Sequence, residues 1–135
     1  MEKDCIFCKI IKGEIPCYKI YENEYVLAFL DIAKDAVGHT LVIPKEHYVN
    51  MLDCDEKVFV EVQKIVKKIS NHYVNNCGFD GVNILNANGK EAQQTVFHYH
   101  VHIVPRKNGD GLDIWPLTEQ KEMDLKQISE YLMIK

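Results

Sequence analysis

Val96-Phe97-His98-Tyr99-His100-Val101-His102-Ile103-Val104-Pro105 places a histidine at every second position of an otherwise apolar run. Three of the chain's six histidines fall within these few residues. Strict alternation is the pattern of a half-buried β-strand, whose successive side chains point to opposite faces. At about 3.3 Å per residue, alternate imidazoles stand roughly 6–7 Å apart on one face. That spacing brackets a group the size of a phosphate, and imidazole acts as nucleophile, acid or base near neutral pH. A strand over residues 96–104 that carries a reaction site is the first expectation. Two other readings compete with it. One is a metal site using all three histidines, which a single strand serves poorly because ligands on one ion converge from several elements. The other is a set of structural core histidines.

Outward from this run, residues 5–12 suit a short helix closed by Gly13-Glu14-Ile15-Pro16. Residues 17–21 and 25–30 predict a hairpin around Glu22-Asn23-Glu24, with Asp31 at its exit. A loop over 32–38 leads to a strand over 39–44 that stops at Pro44. From 55 to about 76, Val58, Val62, Ile65, Val66, Ile69 and Tyr73 recur at helical spacing. Asp53 or Asp55 suits the N-cap of this helix and Gly78 its end. A strand over 82–85, a polar loop over 86–94 and the histidine strand follow, with a last helix over 119–132. The order predicts one α+β domain over 1–135, with a mainly antiparallel five-stranded sheet and flanking helices.

Composition narrows the function. The chain has 135 residues, 47% apolar and 27% charged, as in ordinary globular proteins. No apolar run reaches the roughly 18 residues of a membrane span, so no membrane partner is expected. A net charge of −4 argues against a nucleic-acid polymer as partner. The acidic start, Met1-Glu2-Lys3-Asp4-Cys5, is unlike an export signal and points to the cytoplasm. Five cysteines, an odd number, fit a reducing compartment and no complete disulfide framework.

Cys5-Ile6-Phe7-Cys8 has the two-residue gap that lets both thiolates reach one zinc ion. A redox pair would be expected after a strand, and none precedes it; two buried apolar cysteines are the plainer alternative. The stretch Asn86-Ala87-Asn88-Gly89-Lys90-Glu91-Ala92-Gln93-Gln94-Thr95 is crowded with amide and hydroxyl groups. Such groups hydrogen-bond phosphate oxygens in a site and water on an ordinary surface.

The histidine run, preceded by Gln94-Thr95-Val96-Phe97, resembles the signature of the histidine-triad (HIT) superfamily. Three further blocks resemble its nucleotide-binding branch. These are Cys5-Ile6-Phe7-Cys8-Lys9-Ile10-Ile11 with Gly13-Glu14-Ile15-Pro16, then Ala28-Phe29-Leu30-Asp31-Ile32, and Gly38-His39-Thr40-Leu41-Val42-Ile43-Pro44-Lys45-Glu46-His47. The resemblance implies an antiparallel HIT-like fold, a homodimer, and hydrolysis or transfer at the α-phosphorus of a nucleotide. The substrate implied is a purine nucleoside phosphoramidate or a dinucleoside polyphosphate. A nucleotide-binding regulatory or scaffold protein with incidental hydrolysis is the alternative, and a sugar-phosphate transferase a more distant one.

By the same resemblance, His100 is the nucleophile, His102 and His39 contact the phosphate, and Thr95 contacts the phosphate or the leaving atom, with Gln94 beside it. Asp31 would receive the ribose hydroxyls. Ile6, Phe7, Ile10, Phe29 and Ile32 would surround the base, although core packing explains such positions equally well. Asn86, or else Asn88, matches a loop asparagine of the family. Cys5, Cys8, His47 and His98 match the ligands of a structural zinc ion in bacterial-type members. Gln93 departs from the family pattern, which often has glycine there, and glutamine enters glycine-type conformations less readily. Trp115 has no counterpart at its spacing and is expected to be buried in the ordinary way.

Overall fold

In the computed structural model, which describes residues 4–115 and 118–135, the amphipathic segment forms helix α2 at Glu56–Asn76. It buries Val58, Val62, Ile65, Val66, Ile69 and Tyr73, the six positions that its periodicity singles out. Asp55 occupies the N-cap position without a side-chain cap bond, and Asp53 instead accepts from the backbone N–H groups of Val49 and Asn50. Before α2 come helix α1 at Ile6–Ile11 and strands β1 at Lys19–Glu22, β2 at Val26–Leu30 and β3 at Thr40–Pro44. After it come β4 at Gly81–Leu85, a 3-10 turn at Lys90–Ala92, β5 at Val101–Arg106 and α3 at Leu125–Leu132.

The five strands form one sheet in the order β1-β2-β3-β5-β4, and every neighbouring pair is antiparallel. The β1–β2 turn is tied by the Asn23 side chain, whose oxygen accepts from the N–H groups of Tyr25 and Val26. One sheet face packs against α2 through Val26, Ala28, Val42, Val101 and Ile103. The other face carries Leu27, Phe29, Leu41 and Ile43 and meets Phe7 of α1. Each of the Val, Leu, Ile and Phe side chains among them contributes about 1.5–3 kcal/mol on full burial. Tyr73 of α2 pairs its hydroxyl with that of Thr40 at 2.7 Å, which pins the helix to the start of β3.

The histidine strand is shorter than residues 96–104. Pairing begins at Val101, so His98 and His100 precede the strand and His102 lies within it. Other groups occupy the backbone there. Tyr99 donates its N–H to the carbonyl of Tyr48, and the carbonyl of His100 accepts from Asn86. β4 has ended at Leu85, opposite His102, so no strand is left on that side, and the ladder with β3 ends at Val42, opposite Val101. Alternation of faces survives from His98 to Ile103. Tyr99, Val101 and Ile103 enter the α2-side core, while the histidines lie on the opposite side with Phe7.

The last helix also differs, covering Leu125–Leu132 where 119–132 was expected. Its start is set by Asp124, whose carboxylate accepts from the N–H of Gln127, and none of its residues is buried. Residues 119–123 have helix-forming side chains without a cap or a buried stripe to hold them. Trp115 is 77% exposed, so its expected burial is not found. Met1, Glu2 and Lys3 of the acidic start lie outside the described residues. Among the described residues no helix is long and apolar enough to cross a membrane.

Candidate active site and metal-binding cluster

The three histidines of the row face three different environments. His98 has no exposed surface, and one ring nitrogen, Nε2, donates to the carbonyl of Pro44 at 2.9 Å. That bond leaves the Nδ1 lone pair facing Cys5 Sγ at 3.3 Å, Cys8 Sγ at 3.6 Å and His47 Nδ1 at 3.1 Å. Cys8 Sγ is also 3.3 Å from His47 Nδ1. Burial, opposed in part by the Pro44 carbonyl, pushes the His98 pKa down to about 4. Its lone pair is therefore available at neutral pH.

These four ligand atoms lie within 4.8 Å of one another and could hold a metal ion. The donor set tests well for zinc. Two thiolates and two imidazoles on bonds of about 2.0–2.3 Å make a tetrahedron with edges of about 3.3–3.8 Å, close to the spacings present. Local folding explains the approach of the pair. Cys5 is the N-cap of α1 and its sulfur accepts from the N–H of Cys8, so one helical turn brings both thiols to one side. Pro44 at the end of β3 and His47 three residues later supply the other wall.

His100 donates Nδ1–H to the carbonyl of His98 at 2.7 Å. In the neutral ring the lone pair therefore belongs to Nε2. Phe7 meets the His100 ring edge-on at 5.2 Å and the His102 ring lies 5.0 Å away. The side-chain nitrogen of Asn86 donates to the His100 carbonyl at 2.9 Å and fixes the backbone from outside. Burial holds the His100 pKa below the usual histidine range, against smaller contributions from the His98 carbonyl and the Asp31 charge.

His102 turns its Nδ1 to His39 Nε2 at 2.9 Å. His39 Nδ1 in turn lies 2.8 Å from an Asp35 carboxylate oxygen, and Asp31 stands 3.7 Å from His39 Nε2. Burial first, and then neighbouring His100 and His39, push the His102 pKa down to about 4. Asp31 and His39 line a cleft of about 290 Å³ together with Leu30, Lys34 and Val37. The β2–β3 loop that builds it has two residues in the left-handed region, Lys34 at φ +58 and Gly38 at φ +81. A Cβ on Gly38 would stand 3.1 Å from the Pro105 ring, a tight fit added to the positive φ that already favours glycine there.

The remaining expected site residues divide. Phe7 and Phe29 are buried and touch edge-on at 5.7 Å, and Ile10 packs against the same cluster, whereas Ile6 and Ile32 are exposed. Thr95 is exposed and opens onto a separate cleft of about 500 Å³ with Cys5, Ile6 and His47. Gln94 is buried, and its side chain is committed to the loop itself. It donates to the carbonyls of Val49 and Val96 and accepts from the N–H of Gly89 and from Asn50. Asn88 binds Asn86 and the N–H of Met51, so Asn86 is the asparagine that reaches the His100 backbone. Gln93 takes φ +69, the left-handed conformation a glycine would enter freely.

Asp35, Lys34 and Asn50 escape a reading of the sequence. Asp35 stands four residues before His39, but only the loop's two left-handed turns bring its carboxylate back to the ring.

The HIT domain pattern matches residues 12–109. The adenosine 5'-monophosphoramidase hnt1 of Schizosaccharomyces pombe is 41% identical over 133 residues, covering 97% of each chain. A crystallised HIT family member from Bacillus subtilis superposes with a TM-score of 0.84 at 44% identity, covering 96% of this chain and 95% of that one. A Zn-bound histidine triad family protein from Mycobacterium smegmatis superposes with a TM-score of 0.78 at 38% identity, covering 94% and 88% of the two chains. The similarity at family level is to nucleotide hydrolases, and a zinc-holding relative shares the fold.

Proposed function

This chain belongs to the HIT domain family, and we propose on that premise that it hydrolyses a purine nucleoside phosphoramidate through a nucleotidyl-histidine intermediate. The observation that carries the reading is the hydrogen bond from His100 Nδ1 to the His98 carbonyl. It leaves Nε2 as the nucleophilic nitrogen. Nε2 attacks the α-phosphorus, the bond from phosphorus to the leaving nitrogen breaks, and the Thr95 hydroxyl supplies a proton to the departing amine. Water then attacks the same phosphorus and breaks its bond to Nε2, returning His100 to its neutral form, while the proton released from the water restores the Thr95 hydroxyl. Dinucleoside polyphosphates would react alike, with an oxyanion leaving in place of the amine.

In this reading His102 contacts the phosphate oxygens, His39 supports it from behind through the hydrogen bond between the two rings, and Asp31 accepts from the ribose hydroxyls beside them. Phe7, Phe29 and Ile10 form the floor under the base, with exposed Ile6 and Ile32 at its rim. Gln94 serves by bracing the loop, and Asn86 by holding the His100 backbone. Cys5, Cys8, His47 and His98 hold a structural zinc ion, whose four protein ligands leave no open position. Bound there, the metal stabilises the fold around the His98 carbonyl that orients His100. The chain acts as a cytoplasmic homodimer of single HIT domains.

His100→Ala tests the proposal directly. It is expected to lower kcat for adenosine 5'-phosphoramidate by at least about 10⁴-fold, the scale on which loss of a covalent nucleophile is felt, with the fold and nucleotide affinity retained. Turnover within tenfold of the unaltered protein rejects His100 as nucleophile. Phosphoramidates, dinucleoside polyphosphates and nucleotidyl sugars compared by kcat/KM assign the leaving group. Background rates on all three favour a binding protein instead.

A further inference from the structure

We propose that Asp35 is a positioning residue of this site, setting through His39 which nitrogen of His102 carries the proton offered to the phosphate. The inference rests on the nucleotidyl-transfer reading above. It follows from a chain of three groups, Asp35 Oδ1 to His39 Nδ1 at 2.8 Å and His39 Nε2 to His102 Nδ1 at 2.9 Å. An ionised carboxylate only accepts hydrogen bonds, so His39 Nδ1 carries a hydrogen. One further hydrogen lies between His39 Nε2 and His102 Nδ1. With both rings neutral it belongs to His102 Nδ1, and His102 Nε2 has a lone pair. When an anionic phosphate arrives, one added proton makes the pair cationic and places N–H on His102 Nε2. Asp35 lies on the far side of His39 and stabilises that cation.

Without the carboxylate, His39 is free to adopt the opposite tautomer and to turn Nε2–H toward His102. A histidine's orientation and tautomer are commonly set by the partner of its second nitrogen. Here that partner is provided by a loop, not by the sheet. Lys34 and Gly38 take left-handed conformations on either side of Asp35, and the His39 N–H returns to the carbonyl of Ala36 at 3.2 Å. The ring of His39 is nearly enclosed, with its side chain 9% exposed, while the Asp35 side chain is 58% exposed. The charge therefore sits at the solvent edge and acts on a buried pair. Solvent screening makes its effect moderate.

Other ionisable groups face the pair. Asp31 at the end of β2 is 3.7 Å from His39 Nε2, and the His100 ring is 5.0 Å from that of His102. The strand neighbours of His102 are Leu41 on β3 and Leu85 on β4, which bring no charge. Asp31 is assigned to the ribose, so Asp35 is the carboxylate left to orient His39. His39 also keeps the Asp35 carboxyl below its usual range, as expected of a coupled acceptor and donor.

The test uses full-length protein with Asp35→Asn, Asp35→Ala and Asp35→Glu. kcat and KM for adenosine 5'-phosphoramidate are measured from pH 5 to 9, and ligand-free protein labelled with ¹⁵N-histidine is examined by long-range NMR. Asp35→Asn and Asp35→Ala are expected to lower kcat about tenfold, the lower end for loss of an outer hydrogen-bonding partner, with KM within about twofold. The basic limb of the pH profile moves to lower pH, because the cationic pair loses its counter-charge. Asp35→Glu restores both. The NMR spectrum of the unaltered protein shows His39 protonated at Nδ1, and Asp35→Ala shifts it toward the Nε2 tautomer. An unmoved pH limb with kcat near that of the unaltered protein, or a change in KM alone, overturns the proposal. So does an Nε2-protonated His39 in the unaltered protein. If no substrate is turned over by any form, the nucleotidyl-transfer reading fails, and the tautomer measurement still decides whether Asp35 sets His39.

Discussion

The two ends of the histidine row obey opposite rules, although His98 and His102 are four residues apart. At the His98 end every ring atom with hydrogen-bonding capacity is used, by a backbone carbonyl on one side and by two sulfurs and an imidazole on the other. At the His102 end the ring leans on a buried histidine that is itself held by an exposed carboxylate, beside an open cleft. Full satisfaction produces rigidity, and a vacancy beside a supported group produces a place to react. The lesson is that a repeated residue type takes its role from the partners its neighbours provide, and that one backbone carbonyl, that of His98, links the two regimes.

The contrast breaks most visibly at its closed end. Cys5→Ser/Cys8→Ser removes both sulfurs, Cys8 being fully buried, and is expected to cost about 3–5 kcal/mol of stability in zinc-loaded protein. Thermal unfolding checks this, with the midpoint falling by roughly 10 °C or more on the usual scale for a domain of this size. A strong chelator should lower the midpoint of the unaltered protein and leave the double variant unmoved. His102→Asn is expected to leave the midpoint nearly in place. Equal losses at both ends would erase the distinction between them.

Acid sharpens the open end. The His102 pKa lies near 4 in the folded chain against an ordinary 6.5. Above pH 6.5 the ring is neutral in both states and its contribution to stability is fully present. As the pH falls from 6.5 toward 4, the unfolded chain takes up a proton that the folded one refuses, so stability declines. Urea unfolding across that window should show a slope that is shallower in His102→Asn. A slope unchanged by the substitution places the proton uptake elsewhere.

The smallest effect concerns the loop that leads into the row. Gln93 holds φ +69, and Gln93→Gly relieves the left-handed strain while adding freedom to the unfolded chain. A net gain of up to about 1 kcal/mol is expected, read as a rise in the urea midpoint with kcat unchanged. A loss of stability would show that the glutamine side chain contributes more than its backbone costs.

Much of this arrangement was legible in the residues because period and spacing report directly on which face a side chain occupies. The six apolar positions of α2 are buried as their periodicity predicts, and the α+β order with an antiparallel sheet follows from short turns and one long helix. Alternation of the histidines was legible too, but not where the strand starts. That depends on β4 ending at Leu85 and on Tyr48 and Asn86 capturing backbone groups, contacts no local pattern announces. Apolar type alone did not separate Phe7 and Phe29, which are buried, from Ile6 and Ile32, which are exposed. Asp35 was illegible because its position depends on left-handed backbone at Lys34, a residue type that gives no notice of it.

The contact between Cys5 and His98 spans 93 residues of chain, and that between His39 and His102 spans 63. Contacts so distant in sequence are slow to form, because loop closure must be completed before they give any return. During synthesis Cys5 must wait for His98, so neither the four-residue cluster nor the His100 ring beside it is in place until residues 98 to 100 have been made. Assembly of the site is thus delayed by topology, and a nascent polypeptide carries all its early blocks long before the histidines that join them.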